Sequence, residues 1–271
     1  MAEYNERVAA VTTDIIHAVR DVLTRHGVDH AEYGAAVLWI RGLVEAGEVP
    51  MFLDNFFEQT VEQATYAGKP GSEGTVRGPY YLPGAPLLTD QPFVIPMRDD
   101  EPGDPMVLGG LVVDLDGKPL AGALVDLWHA GNDGTYSGFV GDAPPTNLRA
   151  RLYTDGDGRF QIRTIRPSPY QIPTGGPTGR YLEMIGRHAW RPAHFHLRLS
   201  ADGFDPLTTQ LYFRGGPWLG DERGHGDVSE AVKESLKIEV TEDRDEEVAA
   251  RYGLSIPFHS AHYTFTLRPV V

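Results

Sequence analysis

The sequence predicts a mainly β protein, a β-sandwich body preceded by an N-terminal α-helical segment. Past residue 105 the apolar residues come in short runs separated by turn residues, the pattern of sandwich strands. Before residue 66 they recur every three or four positions, the pattern of helices. The 271 residues include 31 glycines and 21 prolines at 41% hydrophobic content, which allows a full core with many turns. Residues 1–66 are therefore expected as the helical segment and residues 67–271 as the sandwich.

Val8, Val11, Ile15, Val19 and Val22 form one stripe of a first helix. Asp29 is placed to cap a second over residues 31–45, which Gly47 and Pro50 would end, and residues 51–60 give a third. Such broad apolar stripes on short helices are expected to pack on the body or on another subunit. Residues 67–105, rich in Gly, Pro and charge, read as a long, specified loop. Strands follow over residues 107–115 and 123–129, joined through a turn at Asp116-Gly117-Lys118-Pro119. Residues 149–154 and 159–166 are expected to form a hairpin around Asp155-Gly156-Asp157-Gly158, with further strands over 194–199, 208–213, 236–241 and 263–267.

Charge and composition exclude several functions. A formal charge of -14 and a pI near 5.1 leave no basic face for nucleic acid or an anionic membrane surface. Without cysteine there is no disulfide, thiolate-bound zinc, iron–sulfur cluster or cysteine nucleophile. The first residues lack a basic n-region and an apolar h-region, and no run approaches about 18 apolar residues, so a cytoplasmic protein without membrane insertion is expected.

The chemistry centres on Arg191-Pro192-Ala193-His194-Phe195-His196-Leu197. In a strand, His194 and His196 share one face about 6.5 Å apart along the chain, within reach of one metal ion, while Phe195 and Leu197 face the packed side. The plainer reading is a half-buried strand whose histidines only hydrogen-bond. Tyr136, in Gly131-Asn132-Asp133-Gly134-Thr135-Tyr136, and Tyr170, in Arg166-Pro167-Ser168-Pro169-Tyr170, stand in unusual Gly- and Pro-rich settings. Each taken singly suits a packing residue. Two tyrosines with a His-x-His would make an N2O2 set, and a phenol with an ordinary pKa near 10 binds as phenolate at neutral pH only to a strongly polarising cation. Ferric iron fits, whereas zinc, copper and nickel favour imidazole or thiolate, and calcium and magnesium favour carboxylates and carbonyls. No His-Glu-x-x-His and no Gly-x-Ser-x-Gly occurs. His129, His188, His225, His259 and His262 have no partner pattern and are expected to be structural.

Seven stretches carry a family resemblance. They are Gly78-Pro79-Tyr80-Tyr81, Leu120 through Trp128-His129-Ala130 to Tyr136-Ser137, Arg166 to Tyr170, Gly176-Pro177-Thr178-Gly179, Gly186-Arg187-His188, Trp190 to His196, and Thr209-Gln210-Leu211-Tyr212-Phe213. In this order the chain resembles the catechol 1,2-dioxygenase family of intradiol ring-cleavage dioxygenases, over roughly residues 45–215, and it is nearer in length to the chlorocatechol branch. The resemblance implies a non-haem Fe(III) held by Tyr136, Tyr170, His194 and His196 with a solvent hydroxide. It implies Tyr170 as the ligand that also takes a catechol proton, Arg191 as the cation that stabilises charge developing on the ring, and Gln210 as an assisting neighbour. Met51, Asp54, Asn55, Tyr80, Arg191 and Ser229 would line the ring pocket. The implied reaction joins O2 to a catechol-type ring between its hydroxyl-bearing carbons to give a cis,cis-muconate.

The same resemblance implies a homodimer through the N-terminal helices, with phospholipid bound at that interface. Asn55, polar where several relatives place a small apolar residue, leaves plain catechol, chlorocatechol and hydroxyquinol open as substrates. Residues 117–126 with the turn at 154–160 also resemble a transthyretin-like binding module. Such a module has no reason to keep Tyr136, Tyr170, Arg191, His194, His196 and Gln210 together.

Overall fold

A computed structural model describes residues 5–139, 143–220 and 226–270, in two units, residues 1–48 and 49–271. His225 lies outside the described residues. The first unit holds α1 (Glu6–His26) and α2 (His30–Glu45). Asn5 caps α1 through Val8 N–H at 3.0 Å, and Gly27 ends it in the left-handed conformation. Asp29 and Glu32 form a reciprocal capping box at the start of α2. Val8, Val11, Ile15, Val19 and Val22 are all exposed.

Residues 49–66, grouped with the helical segment on sequence grounds, fall in the second unit. The third helix is not the simple one expected. It runs as α3 (Val49–Leu53), a π-helical turn (Asp54–Glu58) and α4 (Gln59–Tyr66). A π-turn inserts one residue into the helix, and Asn55 Nδ2, in that turn, donates to Met51 O at 2.7 Å.

Among the described residues the strands form two five-stranded sheets and a two-stranded ribbon. The first sheet has the order β1 (Phe93–Val94), β5 (Arg159–Ile165), β2 (Pro105–Val113), β12 (Phe258–Thr266), β11 (Thr241–Asp243), with β2 and β12 parallel. The second has the order β10 (Lys237–Ile238), β9 (Leu207–Phe213), β8 (His194–Ser200), β3 (Leu124–His129), β4 (Arg149–Tyr153). The ribbon pairs β6 (Tyr170–Gln171) with β7 (Trp190–Arg191). Two helices were not foreseen, α5 (Pro177–Met184) and α6 (Glu246–Tyr252), the latter capped by Asp245.

The expected hairpin over residues 149–166 is overturned. β4 pairs with β3 in one sheet and β5 with β2 in the other, so the Asp155–Gly158 turn crosses between sheets. Asp155 Oδ1 accepts from Asp157 N at 2.9 Å and Arg159 N at 2.8 Å, which closes the turn on itself. Gly158 must be glycine: its φ is 70°, and a Cβ there would lie 2.7 Å from Val112 O. The strand expected over residues 236–241 divides in the same way, into β10 and β11 in different sheets.

Leu127, Phe195, Leu197, Leu211 and Phe213 from the second sheet meet Met106, Leu108, Ile162 and Phe265 from the first in the main core. His129 belongs to this interior. Its Nδ1 donates to Ala130 O at 2.8 Å and its Nε2 accepts from Thr164 Oγ1 at 2.7 Å, so it ties the sheets together as a neutral ring. Burial pushes its pKa down to about 4. No helix among the described residues is long and apolar enough to cross a membrane.

Candidate functional site

Strand alternation decides which side chains reach the site. On β8, Phe195 and Leu197 point between the sheets, so His194 and His196 point to the other face. The register extends that face sideways: His196 is opposite Trp128 on β3 and Gln210 on β9, and His194 is opposite Tyr212. Directly opposed residues share a face. The Trp128 indole accordingly stacks on the His196 ring, centroids 4.9 Å apart and planes 7° apart. A second apolar cluster, including Met51, Trp128, Ile172 and Leu182, closes over this face.

Tyr136 stands in the loop after β3, which Arg149 clamps by donating from Nε to Ser137 Oγ at 3.0 Å and from Nη2 to Ser137 O at 2.9 Å. The Tyr80 ring stacks on Tyr136 at 4.6 Å. Tyr170 is delivered by the ribbon, where its direct partner is Arg191. Gly134, at φ 78°, lets the two tyrosine loops touch, since a Cβ there would meet Tyr170 Cβ at 2.6 Å.

The four side chains singled out by type converge. His194 Nε2 and His196 Nε2 are 3.0 Å apart, and Tyr136 Oη is 3.4 Å from the first and 3.1 Å from the second. The Tyr170 ring centroid is 5.4 Å from that of Tyr136 and 5.8 Å from that of His194. His194 Nδ1 donates to Pro192 O at 2.7 Å, which leaves its Nε2 with a bare lone pair. Burial first, then the Arg191 cation, pushes His194 down to about 3; burial, then His194, holds His196 well below its ordinary value. Burial raises both phenols, strongly at Tyr136 and less at Tyr170, where the Arg191 cation opposes it. Two neutral imidazoles and two phenols therefore converge, with the His194 Nε2 lone pair turned toward His196 Nε2 and Tyr136 Oη. A strongly polarising cation could take these nitrogen lone pairs and displace the phenol protons. Among the described residues no three His, Cys, Asp or Glu side chains gather to hold a metal, so such a cation would draw on the tyrosines.

The other expected site residues divide. Arg191 is buried beside Tyr170; its Nη2 donates to Gln210 Oε1 at 2.9 Å, and Gln210 Nε2 donates to Val76 O at 2.6 Å. A cleft of about 360 Å³ opens onto the two tyrosines and is lined by Tyr80, Gly134, Tyr136, Pro169, Tyr170 and Trp190. Met51 and Asn55 are buried and Asp54 half-buried on the adjoining helical run, outside that lining, and Asn55 has turned its amide to its own helix. Ser229 is outside the lining of this cleft, and its Oγ donates to Asp227 Oδ2 at 2.7 Å. Sequence reasoning missed Asp227, the Trp128 stack, the Arg149 clamp and the Trp190 wall. Trp128 and Trp190 stood inside the matching stretches, but Asp227 had nothing to distinguish it among 38 acidic residues.

The chain is similar to known proteins over most of its length. The model of the dioxygenase family matches residues 76–269. The chain is 42% identical to the chlorocatechol 1,2-dioxygenase of Rhodococcus opacus over 238 residues, 87% of this chain and 93% of that one. It is 34% identical to the catechol 1,2-dioxygenase of Acinetobacter baylyi, covering 95% of this chain and 82% of the relative. Its structure superposes on that of the 3-chlorocatechol 1,2-dioxygenase from Rhodococcus opacus with a TM-score of 0.88 at 40% identity, over 98% of this chain and 99% of the other. A match this long, on a chain whose matched region carries the two histidines and two tyrosines, leaves the transthyretin-like reading without support: the chain belongs to the intradiol dioxygenase family.

Proposed function

We infer that this chain cleaves a catechol or substituted catechol between its hydroxyl-bearing carbons, adding both atoms of O2 to give a cis,cis-muconate. The observation that carries this is the convergence of His194 Nε2, His196 Nε2 and Tyr136 Oη within 3.4 Å, with Tyr170 beside them at the head of an open cleft. A non-haem ferric ion is the cofactor that this N2O2 set suits, with Tyr136, Tyr170, His194 and His196 as ligands. When bound, it supplies the Lewis acidity that chelates a catecholate and the electron acceptance that lets the ring react with O2.

The protein's own groups do the rest. Tyr80, Pro169 and Trp190 hold the ring in the cleft mouth, and Tyr170 Oη, which would be a phenolate with the ferric ion bound, would take one catechol hydroxyl proton and become a neutral phenol. The Arg191 guanidinium faces negative charge as it grows on the ring, a fixed cation in a buried site. The apolar cluster around Trp128, Ile172 and Leu182 keeps bulk water from the reacting carbons. Similarity to chlorocatechol enzymes at 42% identity, against 34% for a catechol enzyme, favours a chlorinated ring. The exposed stripe of α1 favours a homodimer through these helices, with phospholipid as a candidate for the same interface.

The deciding experiment is the visible spectrum of the iron-loaded protein before and after anaerobic catechol. A broad charge-transfer band that shifts to longer wavelength supports tyrosinate ligation and chelation together; a protein that stays colourless sinks the assignment. Comparing kcat/KM for catechol, chlorocatechols and hydroxyquinol then settles the ring. Gly134→Ala is expected to lower kcat about 10²-fold by displacing Tyr170, and to cost about 1–3 kcal/mol through its backbone conformation. Steady-state rates and thermal melts read both effects.

A further inference from the structure

The ring-cleavage reading gives no task to one fully enclosed charge beside the site, Asp227. Asp227 has 1% of its side chain exposed, and its partner Arg191 has 4%. The two face each other as a fork: Arg191 Nε to Asp227 Oδ1 at 3.1 Å, Nη2 to Oδ2 at 3.2 Å. A paired geometry of this kind fixes the plane of a guanidinium as well as its position. The carboxylate is itself fixed from behind. Ser229 Oγ donates to Oδ2 at 2.7 Å, Ser229 N to Oδ1 at 3.2 Å and Ala231 N to Oδ2 at 3.3 Å. From the other side Gln210 Oε1 takes Nη2 while also accepting from Tyr212 Oη at 2.7 Å. These bonds commit Nε and Nη2 of Arg191, and the guanidinium lies beside Tyr170, its partner in the ribbon. Burial alone would push the Asp227 carboxyl up, but Arg191 outweighs it and holds the group below the usual carboxylate range.

We propose that Asp227 is the positioning residue that orients Arg191 for ring cleavage, held in turn by Ser229 and the Ala231 amide. This assignment rests on the ring-cleavage reading and deepens it. Arg191 has a long side chain, and without the carboxylate behind it the guanidinium can rotate away from the place where charge develops. Ground-state binding of a catecholate depends on that orientation much less, because a buried cation attracts an anion from several positions.

Asp227→Asn keeps the shape and removes the charge. In the iron-loaded protein kcat should fall about 10²-fold, the cost of a misplaced group, while KM and the anaerobic catechol Kd, read by absorbance, stay within about threefold. Ser229→Ala keeps the carboxylate but loosens it, and should lower kcat by about three- to tenfold at unchanged KM and melting temperature. A kcat within threefold of the unmutated protein in Asp227→Asn overturns the proposal. So does a loss of binding in step with turnover, the signature of a merely structural role. If Asp227→Asn fails to fold, Ser229→Ala decides by the same split. An unmutated, iron-loaded protein that cleaves no catechol is a different failure, of the ring-cleavage reading itself, and takes the proposal with it.

Discussion

His196→Ala is expected to abolish iron retention and to reduce ring cleavage to less than about 10⁻³ of the unmutated rate. The imidazole it removes is one of two whose Nε2 atoms lie 3.0 Å apart beside Tyr136 Oη, so its loss leaves three donors where a tightly held ferric ion needs four. Its place cannot be taken by a neighbour: Gln210, directly opposite on β9, has its amide on Val76 O and its oxygen on Arg191. The fold should survive, because the side facing the main core at this point belongs to Phe195 and Leu197. The lost stack on Trp128 is expected to cost about 1–3 kcal/mol. Metal analysis, oxygen uptake with catechol and a denaturant melt read the three effects. Retention of stoichiometric iron would remove His196 from the ligand set.

Arg191→Met carries the second large effect, and it falls on stability as well as rate. Removing the guanidinium leaves Asp227 buried without a cation, which costs about 3–5 kcal/mol. The loss of a fixed cation facing developing charge should lower kcat about 10²- to 10³-fold. The pH dependence of stability should also change sign at this group. In the unmutated chain Asp227 titrates below its unfolded value, so its contribution is present above that value and is lost as pH falls through the folded pKa. In the variant, burial acts without Arg191 and raises the folded pKa. The folded state then holds the proton longer than the unfolded one, and the deficit against the unmutated protein grows as pH rises from about 4. Melting temperatures across that range test this; a deficit independent of pH would mean that the carboxylate has found another partner.

Much of this arrangement was readable before any coordinates, and the reasons are particular. His194 and His196 converge because strand alternation is a two-residue rule, and Phe195 and Leu197 confirm the phase. The Asp29 box works because its chemistry is local. What stayed hidden depends on partners distant in sequence. Residues 149–166 have the look of a hairpin, yet which sheet β5 joins is decided by Leu108 and Ile162 meeting across the register with β2. The π-turn at Asp54–Glu58 leaves no periodic trace beyond one extra residue. Asn55 Nδ2 is bonded to Met51 O, a contact that the sequence does not announce. Asp227 is one carboxylate among many until Arg191 is placed against it.

The parallel pairing of β2 with β12 sets the order in which the molecule can be completed. His259 lies against Met106 and Thr266 against Val113, each pair 153 residues apart in sequence (259 − 106 and 266 − 113). All four candidate iron ligands precede residue 200, and the sheet that carries the histidines needs nothing beyond Ile238. The opposing sheet cannot be completed until residue 266 has been made, because Phe265, fully enclosed in the main core, is supplied by β12. Pairing over so long a separation slows folding, because the entropy of closing the loop is lost before the contacts form. On the ribosome, the candidate metal-binding face is therefore synthesised well before β12, the strand that completes the layer behind it.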